Sequence, residues 1–103
     1  MAEIVVDGSE NGRTINVAVG DSLQIELPEN LATGFRWQME ASSLQGVSAL
    51  RLQSVDYRAA NSRRRVFRFS AEGRGHVILR LELVRTWEVQ IPRETFVVTA
   101  NVR

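Results

Sequence analysis

Few side chains in this sequence could do chemistry. His76 is the single histidine and stands beside a glycine turn. As a general base it has no nucleophile near it in sequence, and as a metal ligand it has no carboxylate partners at a suitable spacing. It reads as a solvent-facing turn residue. There is no cysteine, which removes disulfides, thiolate metal sites and a cysteine nucleophile. No phosphate-binding loop, dinucleotide fingerprint, Gly-x-Ser-x-Gly elbow or His-Glu-x-x-His helix occurs. Arg63-Arg64-Arg65 is the basic run of the chain. Three residues fall short of the ~5–8 that mark a nucleic-acid patch, so the run reads as a solvated strand entry whose charge protects a sheet edge. With a formal net charge of +1, binding to nucleic acid by bulk charge is not suggested. These features predict a protein with no catalytic centre, no metal and no cofactor.

What is left is recognition chemistry, in two segments. The first is Asn30-Leu31-Ala32-Thr33-Gly34-Phe35, followed by Trp37. Asn30 can bond to the backbone ahead of it, Gly34 permits a positive φ or a close approach to another chain segment, and Thr33 is expected at the loop tip. The second is Arg85-Thr86-Trp87-Glu88. A tryptophan among polar residues, with an arginine two positions before it, has the composition of an interface anchor. The competing reading is that Trp87 folds back to cover the open end of the fold.

The elements that must position these segments are strands. Ile15, Val17 and Val19 alternate with polar or small residues, and Leu23, Ile25 and Leu27 do so after a Gly20-Asp21 turn. Further alternating runs are Phe35-Trp37-Met39, a weaker one from Leu50, then Phe67-Phe69-Ala71, Val77 to Leu83, and Phe96 to Val102. A period of two places one face in a core and the other in water. Trp37 is expected in the core. Ala41 to Gly46 suggests a loop with one helical turn, and Asp56 to Arg65 a polar loop. About seven strands in 103 residues, with no amphipathic helix, predict an all-β, immunoglobulin-like β-sandwich forming a single domain over residues 3–103.

The order of these pieces resembles the chagasin-type inhibitors of papain-like cysteine peptidases. That family has a Val-Gly-Asp-x-Leu segment, matched by Val19-Gly20-Asp21-Ser22-Leu23. Its Asn-Pro-Thr-Thr-Gly-Tyr/Phe-x-Trp loop corresponds to Asn30 through Trp37, with Leu31-Ala32 in place of proline and threonine. Its Arg-Pro-Trp loop corresponds to Arg85-Thr86-Trp87, and its last Phe-x-Val strand to Phe96-Val97-Val98. Ala60-Asn61-Ser62-Arg63 stands where the family has a glycine cluster. The resemblance implies a reversible inhibitor that occludes a peptidase cleft with loops at one end of the sandwich. It implies peptidase-binding residues Asn30, Leu31, Ala32, Thr33, Gly34, Phe35, Arg85, Thr86 and Trp87. The alternative is a chagasin-fold binding module that no longer inhibits peptidases. The expected partner is a papain-like cysteine peptidase, with no nucleic acid and no membrane, and the chain is expected to be a monomer. Nothing at Met1–Asp7 reads as a signal peptide, so the chain as written is expected in the cytoplasm; one that began after a removed signal, in the periplasm or outside the cell, would look the same.

Overall fold

A computed structural model describes residues 1–59, 62–85, 87 and 91–103. These form two four-stranded sheets packed face to face. The strands are β1 (Glu3–Val6), β2 (Thr14–Val17), β3 (Ser22–Pro28), β4 (Phe35–Met39), β5 (Leu50–Arg58), β6 (Arg64–Ala71), β7 (Gly75–Arg85) and β8 (Glu94–Val102). One sheet has the order β1-β3-β6-β5 and the other β2-β8-β7-β4. The chain is all-β, as the alternating pattern predicts.

The core is made by the inward residues of both sheets. Leu23, Ile25, Phe67 and Phe69 face Leu79, Leu81, Phe96 and Val98, each 2% exposed or less. Burying a side chain of this size contributes about 1.5–3 kcal/mol, which is how a sandwich with no disulfide and no α-helix among the described residues holds together. Trp37 lies in this core at 5% exposure, as expected, and its indole Nε1–H donates to the Pro28 carbonyl at 2.9 Å.

Three details differ from the sequence reading. The described strands number eight rather than seven, because Glu3–Val6 pairs in parallel with β3. That segment alternates too briefly to announce itself. Val19 does not continue the inward run of Ile15 and Val17: β2 stops at Val17, and Val19 is 48% exposed. The chain leaves the sheet there for a turn held by Asp21, whose carboxylate accepts the amides of Ala18 and Ala2 at 2.9 and 2.7 Å. Half of the polar stretch from Asp56 to Arg65 is strand. β5 runs to Arg58 and β6 starts at Arg64, with an irregularity in register between Leu52 and Ser54. β5 is an edge strand, and edge strands carry polar residues without losing their pairing. The helical turn suggested for 41–46 is present as a 3₁₀ turn over Ala41–Leu44.

Candidate functional site

Three connections leave the sandwich at the same end. The first joins β3 to β4 (residues 29–34), the second β5 to β6 (59–63) and the third β7 to β8 (86–93). Strand register puts them together: Pro28 is opposite Arg64, Arg58 is opposite Arg64, and Phe35 is opposite Arg85. A backbone hydrogen bond from the Glu29 amide to the Arg63 carbonyl, 2.9 Å, joins the first two loops directly.

The first loop closes on itself. The Asn30 side-chain carbonyl accepts the Ala32 amide at 3.0 Å, the capping bond expected from its position. The Thr33 hydroxyl donates to the Asn30 carbonyl at 2.8 Å and accepts the Phe35 amide at 3.2 Å. Residues 31–33 form a single 3₁₀ turn ending at Gly34, which has φ of 80°. With the Thr33 hydroxyl turned back into the loop, the exposed crest is Leu31-Ala32 rather than Thr33. Leu31 is 42% exposed.

The third loop grips the first. Trp87 is 69% exposed, so it does not enter the core. Its six-membered ring rests over Gly34: a β-carbon there would lie 2.2 Å from Trp87 Cη2. Gly34 is therefore required twice, by its positive φ and by the ring above it. Arg85 Nε–H donates to the Thr33 carbonyl at 3.1 Å, and its guanidinium lies 4.3 Å from the centre of the Phe35 ring. Arg93, at the other end of the third loop, reaches the same ring at 5.0 Å. Phe35 is thus held by two cations, each contact worth about 0.5–1 kcal/mol at an exposed site. Thr86, also expected at this site, lies outside the described residues, as do Ala60 and Asn61 of the second loop.

Beneath the loops sits an ion pair that the sequence reading missed. Glu29 is 4% exposed. Its carboxylate accepts the Trp37 amide at 2.7 Å and the Arg65 guanidinium at 2.5 and 3.2 Å. The Glu29 carbonyl accepts the Tyr57 hydroxyl at 2.9 Å, and Arg65 lies 5.2 Å from the centre of the Tyr57 ring. The arginine run is therefore not a uniformly solvated strand entry. Arg63 is exposed, while the Arg65 side chain is 17% exposed and paired. The signal was in the parity. Glu29 is in phase with Leu23, Ile25 and Leu27, and Arg65 with Phe67 and Phe69, so both continue the inward faces of their strands.

His76 is exposed and lies at the opposite end, where Gly75 pairs with Val102. Among the described residues no three of His, Cys, Asp and Glu come together as a metal site. What the loop end offers is an exposed Leu31-Ala32 crest, an exposed indole over Gly34 and several arginines nearby. This defines the chain as a two-sheet β-sandwich with three loops gathered at one end. A family model for the chagasin family of peptidase inhibitors, I42, matches residues 16–100. The chain belongs to that family.

Chagasin from Trypanosoma cruzi is 45% identical over 38 residues, 37% of this chain and 34% of chagasin, so the matched stretch spans about a third of that relative's length. Among solved structures, the cysteine protease inhibitor EhICP2 from Entamoeba histolytica superposes with a TM-score of 0.86 at 21% identity, covering 100% of this chain and 97% of its own. The solution structure of amebosin gives 0.76 at 22% identity and covers 98% of each chain. PbICP-C, solved in complex with falcipain-2, gives 0.66 at 12% identity, covering 98% of this chain and 89% of that one. At these identities the structural matches establish the shared sandwich fold.

Proposed function

We propose that this chain is a reversible inhibitor of papain-like cysteine peptidases, which seats the loop end of the sandwich in the active-site cleft. The contacts would come from Asn30, Leu31, Ala32, Thr33, Gly34, Phe35, Arg85, Thr86 and Trp87. The observation that carries this reading is the exposed Trp87 ring laid over Gly34, next to the Leu31-Ala32 crest. A large, exposed and positioned aromatic is the residue type that dominates interface energetics. The first loop also lacks the proline of its family, yet Asn30 and Thr33 close it with their own hydrogen bonds. A loop ordered before binding loses less entropy on binding, which favours inhibition over a retained fold with idle loops. The test is a titration of papain against a fluorogenic substrate. Inhibition reaching completion near one equivalent supports the reading; full activity of papain and of two cathepsin-type peptidases at micromolar inhibitor overturns it.

A further inference from the structure

The chain is nearly neutral as a whole, but arginine is concentrated in and around the three loops. The segments 29–36, 57–65 and 85–94, which make or flank the three loops, contain seven arginines (36, 58, 63, 64, 65, 85 and 93) and three glutamates, a balance of +4. The rest of the chain contains the other six basic residues and nine carboxylates, a balance of −3. The molecule measures 38 × 30 × 21 Å, and charges are screened over about 8 Å at physiological ionic strength. A partner approaching the loops therefore meets the arginines there, together with Glu26 beside Arg58 and Asp7 near Arg64, before the charge of the rest of the chain.

Much of that positive charge is available. Of the seven arginines, Arg58 pairs with Glu26 and Arg65 with Glu29. Among the described residues no carboxylate forms an ion pair with Arg36, Arg63, Arg64 or Arg93. Arg64 acts on Asp7 only through space, as the smallest of the causes lowering that carboxyl, behind hydrogen bonds from Ser9. Arg63 and Arg93 are exposed. All 13 basic residues of the chain are arginine and none is lysine. A guanidinium is less strongly hydrated than an ammonium and pairs with carboxylates through two parallel hydrogen bonds.

We propose that the peptidase this inhibitor has evolved to meet carries carboxylates along the borders of its cleft, and that the loop arginines Arg36, Arg63, Arg64 and Arg93 steer the inhibitor onto it loops first. This rests on the inhibitor reading above and adds the chemical class of the target. Rim charges act mainly on association, with rate gains of about 10- to 1,000-fold where the surfaces are complementary.

The test measures association and dissociation rates of the full chain with two papain-like peptidases, one acidic and one neutral at the cleft border. Salt is varied between about 10 mM and 1 M, over which the screening length falls from about 30 to 3 Å. Expected for the acidic target is a fall of at least tenfold in association rate with salt. Arg36→Glu with Arg63→Glu should lower the low-salt association rate about tenfold and change dissociation less than threefold, while Arg74→Glu at the far end changes neither. Equal, salt-insensitive association with both peptidases, unmoved by charge reversal, overturns the inference and leaves the inhibitor reading standing. Inhibition of neither enzyme overturns both. Retention of an oligonucleotide at 0.15 M salt, with no preference between the peptidases, overturns it in favour of a nucleic acid partner.

Discussion

The two ends of this sandwich solve the same problem with different chemistry. At the far end, the strand connections are tied by backbone groups to one carboxylate. Asp21 accepts the amides of Ala2 and Ala18, and its own carbonyl accepts the amide of Ala71. At the loop end, besides the backbone bond from the Glu29 amide to the Arg63 carbonyl, several ties are made by side chains: Glu29 to Arg65, Tyr57 to Glu29, Arg85 to Thr33 and to Phe35. Backbone ties fix a turn but present nothing. Side-chain ties hold three loops from below and leave their crests free to carry Leu31, Trp87 and Ile91, all exposed. The difference teaches where binding can be altered without cost to folding, namely above the level of Glu29.

The largest effect expected is from breaking the bracket at that level. Glu29→Ala leaves the Arg65 guanidinium without its partner and the Trp37 amide without an acceptor. Removing one member of a buried pair costs about 3–5 kcal/mol, and the residual exposure of Arg65 places this case near ~3 kcal/mol, readable as a lowered urea midpoint. Inhibition should fall as well, because the first two loops lose their common anchor. The sharper variant is Glu29→Leu with Arg65→Leu. An apolar pair of similar size restores stability in many buried sites, so stability should recover more than inhibition does. Recovery of both in step would mean that the pair stabilises the fold without setting the loops.

Next in size is Trp87→Ala. An exposed side chain contributes little to folding, so stability should change by no more than about 0.5 kcal/mol. Loss of an anchor of this type costs about 2 kcal/mol of binding, or about a 30-fold rise in inhibition constant. Gly34→Ala approaches the same contact from beneath, since its new methyl group would occupy the place of the indole. It should weaken inhibition comparably, with an added stability loss of about 1 kcal/mol from the left-handed backbone. Equal inhibition by wild type and Trp87→Ala would remove the loop end from the mechanism.

The contrast between the ends also marks what was legible in the sequence. Strict alternation from Leu23 to Leu27 and from Val77 to Leu83 specifies buried faces, since a one-residue slip would turn all of them to water. The Asn30 cap and the Gly34 conformation were legible because each follows from local geometry alone. The Glu29–Arg65 pair was not recognised, although parity pointed inward at both positions. Charged residues at strand ends are usually solvated, and only the pairing of β3 with β6 brings these two together across 36 positions. The fate of Trp87 was open for the same reason: nothing local tells an indole whether to cover the core or the glycine of a neighbouring loop.

The smallest effect expected is at the far end, and it depends on pH. The Asp21 carboxyl is held below the usual aspartate range, first by the Ala18 amide and then by the Ala2 amide. A carboxylate bound more tightly to its donors in the folded chain than its protons contributes stability above its unfolded value, about 3.9. That contribution is lost as pH falls through the lower, folded value. Asp21→Asn keeps one acceptor oxygen and replaces the other with a donor, so one of the two amides loses its partner. The variant should therefore melt below wild type at pH 7, and the gap should close as pH is lowered below about 4. Its inhibition constant at pH 7 should match wild type, because the three loops are anchored without Asp21. A gap independent of pH would assign the role of Asp21 to shape rather than charge. A weakened inhibition constant would mean that the two ends of the sandwich are mechanically coupled through β3, the strand that connects Asp21 to Glu29.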